Sequence, residues 1–69
     1  MEMISVDSSN IESVGYDEDS STLQIEFKNG TTYQYFDVNE DVFIGLRDAE
    51  SPGRYLATRI KGTYRYSKV

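Results

Sequence analysis

The sequence predicts an α+β fold, in which a three-stranded antiparallel β-meander carries one or two short helices packed on one face. Two patterns lead to this prediction. Apolar and polar residues alternate over residues 23–27, as in a half-buried strand, and Asn29-Gly30 follows as a hairpin turn. Between residues 42 and 49, apolar residues recur at helical spacing. The 69 residues suffice for one small domain that spans residues 1–69.

The strands of the meander follow one another with short connections. The predicted strands are residues 11–16, 23–27 and 31–36, joined by a charged turn and by the Asn-Gly hairpin. The first ten residues are polar apart from Ile4 and Val6, so this stretch is either a frayed N-terminal arm (residues 1–9) or an irregular first strand. Gly15 weakens the first predicted strand, because it has no side chain to pack.

The hairpin turn leaves two registers open. A two-residue loop places the tyrosines of Tyr33-Gln34-Tyr35 on the face opposite the apolar residues of strand 23–27. A three-residue loop, with Gly30 in the left-handed conformation, pairs Ile25 with Tyr33 and gathers both tyrosines on the apolar face. Because a one-residue slip flips every side chain, the apolar pattern favours the three-residue loop. The two tyrosines are therefore predicted to belong to the core.

Two short helices are predicted after the meander. Asn39 is a suitable N-cap for a helix of about ten residues, and acidic residues fill its first turn. Ser51-Pro52 ends this helix and begins a second one over residues 52–60, with Ser51 as its cap and Gly62 after its end. Residues 63–66 are interpreted as a short C-terminal strand. The predicted core comprises Leu23, Ile25, Phe27, Leu46 and Ile60.

Charge is distributed very unevenly along the chain. All twelve acidic residues and two of the seven basic residues lie in residues 1–50, which gives this stretch a net charge of −10. Residues 51–69 contain five basic residues and no acidic one, a net charge of +5. Such asymmetry indicates a charged partner, but in a small domain the basic stretch also lies close enough to the carboxylates to neutralise them. Both interpretations stay open at this point.

The composition argues against an enzyme. The chain has no histidine and no cysteine, so it lacks the commonest general base and metal ligand, and it has no thiolate for nucleophilic attack or metal binding. Acidic residues cluster only where a turn or a helix start explains them, and no phosphate-binding glycine loop occurs. We therefore expect no catalytic residues, no metal site and no cofactor. No stretch reaches the roughly 20 apolar residues of a membrane span, and the start lacks a secretory signal, so a cytoplasmic location is expected.

The C-terminal stretch interleaves cations with aromatic rings. This combination is typical of proteins that bind single-stranded nucleic acid, in which cations contact phosphates and rings stack on bases. The sequence therefore predicts a non-catalytic binding module with weak affinity for RNA or single-stranded nucleic acid. The candidate binding residues are Arg54, Arg59, Lys61, Tyr64, Arg65, Tyr66 and Lys68.

Several segments together carry a family resemblance. Residues 23–30 (Leu-Gln-Ile-Glu-Phe-Lys-Asn-Gly), Tyr33-Gln34-Tyr35, Ser51-Pro52-Gly53-Arg54-Tyr55 and Tyr64-Arg65-Tyr66 occur in the order found in the KTSC domain. The chain resembles this small module over residues 8–66. The family is named for the C-terminus of some lysyl-tRNA synthetases and also occurs as free-standing bacterial and phage proteins. The resemblance implies no established activity, and the synthetase context implies RNA binding.

Two other kinds of partner are compatible with the sequence. The acidic residues 1–50 predict, as the alternative function, a protein-interaction module that engages a basic partner, such as a nucleic-acid-binding protein in a phage or host setting. An exposed edge of the predicted sheet also offers a route to a homo-oligomer. The basic residues 51–69 contact the ligand only if the ligand is a nucleic acid, and this distinguishes the three hypotheses.

Overall fold

The computed structural model describes residues 1–69 as an α+β fold with one antiparallel sheet of five strands in the order β1-β2-β3-β4-β5. The strands are β1 (Met3–Ser5), β2 (Ile11–Asp17), β3 (Thr22–Phe27), β4 (Thr32–Tyr35) and β5 (Tyr66–Lys68). Between β4 and β5 lie helix α1 (Glu40–Arg47) and helix α2 (Pro52–Tyr55), and α2 continues into one π-helical segment, Leu56–Ile60. No helix has both the length and the apolar character needed to cross a membrane.

The predicted meander of three strands is correct for the centre of the sheet but misses its two edges. Met3–Ser5 pairs with β2, so the start of the chain is the irregular first strand and not the frayed arm. The last strand covers Tyr66–Lys68 instead of residues 63–66. The shift arises because the chain leaves the helix through Gly62, at φ +81°, and the backbone N–H groups of Thr63 and Tyr64 still donate to Ile60.

The β3–β4 hairpin has the register that the apolar pattern favours. Ile25 pairs with Tyr33 and Leu23 pairs with Tyr35, so both tyrosines lie on the apolar face. The backbone N–H of Phe27 donates to the carbonyl of Thr31 at 2.8 Å and closes the loop. Gly30 has φ +91°, a conformation that glycine adopts without steric cost. The register prediction is therefore confirmed.

The core lies between this face of the sheet and the helices. Ten apolar residues are buried there: Ile11, Val14, Leu23, Ile25, Tyr35, Val38, Phe43, Leu46, Leu56 and Ile60. A register shift between Ile11 and Ser13 corresponds to a β-bulge, which brings Ile11 and Val14 to the same face although they are three residues apart. Four of the five predicted core residues are fully buried, and the fifth, Phe27, is half-buried at the end of β3 and packs against the core.

The helix starts follow local chemistry. The backbone N–H of Asp41 donates to the Asn39 side chain at 2.9 Å, which confirms the predicted N-cap of α1. Pro52 stands in the first turn of α2, where its missing N–H costs nothing. The Ser51 side chain makes no capping bond, so its predicted role as a side-chain cap is wrong. The N–H of Lys61 bonds the Leu56 carbonyl at 2.9 Å, and this wider turn makes the end of the second helix π-helical.

Gly45 is the contact point between α1 and α2. A Cβ atom built at Gly45 would collide with the Tyr55 hydroxyl and lie 2.8 Å from its Cζ. Alanine gains about 1 kcal/mol over glycine in a helix, whereas overpacking costs about 1–3 kcal/mol. We therefore expect Gly45→Ala to destabilise the wild type by up to about 2 kcal/mol in urea denaturation. In a Tyr55→Leu background the same substitution should become stabilising by about 1 kcal/mol. Equal effects in the two backgrounds would contradict this contact.

Candidate functional site

A groove of about 520 Å³ opens at one end of the apolar face of the sheet, beyond the helices. We call it the aromatic groove. It is lined by Phe27, Asn29, Thr31, Tyr33, Tyr35, Lys61, Tyr66 and Lys68. Four of these residues are aromatic and two are lysines, and they come from β3, β4, β5, the β3–β4 turn and the end of the second helix.

Strand pairing assembles the groove. Tyr66 pairs with Tyr35 and Lys68 pairs with Tyr33 across the β4–β5 ladder. Paired residues point to the same face of a sheet, so Tyr66 and Lys68 lie on the face that already carries the two β4 tyrosines. The helices cover the middle of this face but not its edge at β5. Aromatic rings that would otherwise be core therefore remain accessible there.

The three tyrosines form a cluster and not a single column. The ring centroids of Tyr33 and Tyr66 are 5.6 Å apart, those of Tyr35 and Tyr66 5.7 Å, and those of Tyr33 and Tyr35 6.5 Å. In a column the outer two rings would be separated by about twice the spacing of neighbours. The three similar distances place the rings at the corners of a triangle. Phe27 adds an edge-to-face contact with Tyr33 at 5.7 Å.

Exposure differs sharply within the cluster. Tyr35 is 3% exposed, Tyr33 is half-buried and Tyr66 is 62% exposed. Tyr66 is therefore the ring that solvent or a ligand reaches, and Tyr33 and Tyr35 support it from the protein side. An exposed ring that neighbouring rings hold in place is suited to stacking against another planar group.

Burial raises the pKa of the Tyr35 hydroxyl above its ordinary value of 10.0, and the neighbouring Tyr33 and Tyr66 raise it further. In the unfolded chain Tyr35 ionises near its ordinary pKa, so its contribution to stability is present below about pH 10 and is lost as the pH rises above it. We expect Tyr35→Phe to make the free energy of unfolding fall less steeply between about pH 9 and pH 11. Denaturation curves across this range test the expectation. An unchanged slope would show that Tyr35 titrates alike in the folded and unfolded chain.

The two lysines of the groove are free to meet an anion. Lys61 approaches from the end of the helix and Lys68 from the edge strand, and both are exposed. Neither forms an ion pair, because the structure contains only the pairs Arg47–Asp48 and Arg65–Asp37. The groove therefore combines an accessible ring with two unpaired positive charges.

The strongest acidic cluster of the sequence lies away from the groove. Asp17 ends β2, and Glu18 and Asp19 follow it in the turn before Thr22 of β3, whereas Phe27 at the other end of β3 lines the groove. A strand of this length spans about 17–20 Å, roughly two Debye lengths at physiological salt. Repulsion of an anion in the groove by this acidic turn is therefore largely screened.

The predicted binding residues fall into separate groups. Lys61, Tyr66 and Lys68 come together in the aromatic groove. Arg54 and Arg59 instead line a different shallow depression beside Tyr55, with the Arg59 guanidinium carbon 5.8 Å from the Tyr55 ring centroid.

The other two predicted residues have contacts of their own. Tyr64 is half-buried and packs against the core. Arg65 forms an exposed ion pair with Asp37 at 2.9 Å. This is the only ion pair between the basic stretch and residues 1–50, so direct pairing involves one of the five basic residues of that stretch.

Three aromatic residues of the groove were predicted only as core. Phe27, Tyr33 and Tyr35 do contact the core, yet they also line the groove. Their position follows from the pairing of β4 with a last strand at Tyr66–Lys68. The two Tyr-x-Tyr repeats of the sequence do not indicate this pairing, because Tyr33 pairs with Lys68 and Tyr64 precedes β5.

The outer side of β5 is an open sheet edge. Arg65 and Val69 use their backbone groups toward β4, since the Arg65 carbonyl accepts from Phe36 and the Val69 N–H donates to Thr32. Backbone groups alternate in direction along a strand, so those of Tyr66 and Lys68 point outward. The accessible ring and one of the lysines thus stand directly at this edge.

Comparisons by family model, by sequence and by solved structure all match the chain to one kind of small domain. The family model described as "KTSC domain" matches residues 7–69. A protein of Tsukamurella paurometabola is 42% identical over 60 residues, which cover 87% of this chain and 90% of that protein. The crystal structure of a KTSC domain protein from Yersinia pestis matches with a TM-score of 0.91 and 39% identity, covering 99% of this chain and 96% of that one.

Longer proteins contain a similar segment. The lysine–tRNA ligase of Nostoc punctiforme is 34% identical over 59 residues, which cover 86% of this chain but only 10% of the ligase. The lysine–tRNA ligase of Trichormus variabilis is 37% identical over 54 residues, again 10% of that protein. The region that resembles this chain is therefore a small part of these ligases.

Proposed function

The chain belongs to the KTSC domain family, and we propose that it is a non-catalytic module that binds single-stranded RNA through the aromatic groove. The observation that carries the proposal is the combination of Tyr66 with Lys61 and Lys68. An exposed ring provides a stacking surface for a base, and unpaired lysines beside it provide contacts for phosphates. The groove is open and shallow, which suits a flexible strand better than an enclosed small molecule.

The relatives give the proposal a biological context. Three of them are named lysine–tRNA ligases, and the chain matches about a tenth of each. Unpaired RNA segments are the form in which bases are free to stack on aromatic side chains. A duplex hides its base faces, so it would use the lysines but not Tyr66. We therefore propose single-stranded rather than double-stranded RNA as the ligand.

The proposal is tested by fluorescence anisotropy with a labelled single-stranded RNA of ten nucleotides at about 50 mM salt, where phosphate contacts are weakly screened. The expected result is saturable binding that weakens as salt is added. A blunt duplex of the same sequence is the matched ligand control and should bind more weakly. If the single strand does not bind at this salt concentration, the proposal is wrong.

One observation favours a second function. Ten of the twelve acidic side chains, all except Asp37 and Asp48, form no ion pair. An acidic surface of this kind suits a basic protein partner. Capture of basic proteins from a nuclease-treated lysate, lost in a variant with Asp17→Asn, Glu18→Gln and Asp19→Asn, would support this alternative. Capture that disappears on nuclease treatment would instead support RNA binding.

Self-association through β5 is the less favourable use of the open edge. Pairing two copies of β5 would bring two basic C-terminal segments together, each with Arg65 and Lys68, and like charges oppose such pairing. We therefore propose that the protein binds RNA as a monomer. Sedimentation velocity at the concentrations of the binding experiment should show one species with the mass of a single chain, and a dimer would contradict this.

A further inference from the structure

The geometry of the tyrosine cluster determines how many bases the groove accepts, provided that it binds single-stranded RNA as proposed above. Tyr35 is almost fully covered, and Tyr33 has Phe27, Tyr35 and Tyr66 as ring neighbours. Tyr66 alone is mostly exposed. One open ring face stacks on one base.

The tyrosine rings are too close together for a base to insert between them. Stacked groups need about 3.5–4.0 Å between their atoms, so a base inserted between two rings separates them by about 7–8 Å. The centroids of Tyr33 and Tyr66 are only 5.6 Å apart and their planes are 18° from parallel. Inserting a base would break the cluster that holds Tyr66 in place. The base therefore stacks on the outer face of Tyr66.

The cations of the groove fit the phosphates of the same nucleotide. Lys68 stands two residues after Tyr66 on the same side of β5, whereas Lys61 comes from the end of the helix. Two cations from different elements beside one stacking ring match a nucleoside that carries a phosphate on each side. This arrangement matches an internal nucleotide of a strand better than a terminal nucleoside.

The other basic residues of residues 51–69 and Lys28 do not line the groove. Arg54 and Arg59 line a separate depression, Arg65 is paired with Asp37, and Lys28 lines a smaller depression that shares only Phe27 and Asn29 with the groove. We infer that the groove recognises one unpaired internal nucleotide, with its base on Tyr66 and its two flanking phosphates on Lys61 and Lys68. This footprint is smaller than the roughly 4–16 nucleotides that a single OB-fold covers.

The inference predicts that a nucleoside 3′,5′-bisphosphate contains the whole recognised unit. NMR titrations should follow the Tyr66 ring signals with uridine, uridine 5′-monophosphate, uridine 3′,5′-bisphosphate and oligouridylates of two to eight nucleotides. We expect affinity to rise with each phosphate of the monomers. From the bisphosphate to the octamer it should rise only about sixfold, the number of nucleotides in the octamer that carry a phosphate on each side.

The titrations distinguish failure of the one-nucleotide footprint from failure of the RNA-binding proposal. An octamer that binds about 100-fold or more tighter than the bisphosphate would overturn the single-nucleotide footprint while leaving RNA binding intact, since several contacts would then act together. Equal affinities of uridine and its bisphosphate would also overturn it, because the phosphates would then add nothing. Absence of binding by the octamer would overturn both proposals. The variant with Arg54→Gln and Arg59→Gln should bind the octamer like the wild type, and a loss there would show an extended track.

Discussion

Leu46→Ala is expected to lower the free energy of unfolding by about 2–5 kcal/mol. Leu46 is fully buried in the core, on the side of α1 that faces the sheet. Truncation removes its apolar contacts and leaves a cavity that a small domain cannot fill by collapse. A domain of 69 residues has a total stability of about 3–10 kcal/mol, so this single change removes a large share of it.

Urea denaturation measures this effect as a shift of the midpoint at constant slope. Ile44→Ala is the matched control, because Ile44 lies on the same helix but is 37% exposed. We expect the control to change stability by no more than about 0.5 kcal/mol. A loss below about 1 kcal/mol for Leu46→Ala would show that α1 does not dock on the sheet as described.

Replacing Lys61 and Lys68 together by glutamine is expected to weaken RNA binding at about 50 mM salt by about 10- to 100-fold, while the fold is kept. Each lysine that contacts a phosphate releases a counterion, and for single strands the slope of log affinity against log salt is about 0.7 per contact. Loss of both contacts should therefore reduce the slope by about 1.4. Affinity measured at several salt concentrations gives both quantities.

The matched control for the lysine pair is the double variant with Arg54→Gln and Arg59→Gln. This control also removes two positive charges from residues 51–69, but both of its arginines lie outside the aromatic groove. We expect it to change the salt slope by less than half of the change in the lysine variant. Equal losses in the two variants would show that net charge, and not the groove, attracts the RNA.

Local pattern was sufficient to predict the centre of the fold. The alternation of residues 23–27 and the left-handed glycine of the turn determine the β3–β4 register, because only one loop length buries all the apolar side chains. Asn39 was predictable as an N-cap because an asparagine side-chain oxygen can accept from a backbone N–H in the first turn of the helix, here that of Asp41. These features depend on residues that are close together in the chain.

Features that depend on distant residues were not predictable in the same way. Met3–Ser5 and Tyr66–Lys68 are too short for a clear period of two, and they become strands only because β2 and β4 offer unpaired edges. The grouping of the predicted cations shows the same limit. Arg59 and Lys61 are two residues apart, yet only Lys61 lines the aromatic groove, because the helix ends at Ile60 and the backbone of Lys61 is extended.

The most direct test of RNA binding by the aromatic groove compares Tyr66→Leu with Tyr64→Leu. The two tyrosines are neighbours in sequence, but Tyr66 is exposed in the groove and Tyr64 packs against the core. Affinity for the ten-nucleotide RNA and thermal stability are measured for both variants. We expect Tyr66→Leu to weaken binding by about 1–3 kcal/mol with little loss of stability, and Tyr64→Leu to lower the Tm while binding normally. Normal RNA binding by a folded Tyr66→Leu variant would contradict the proposed site.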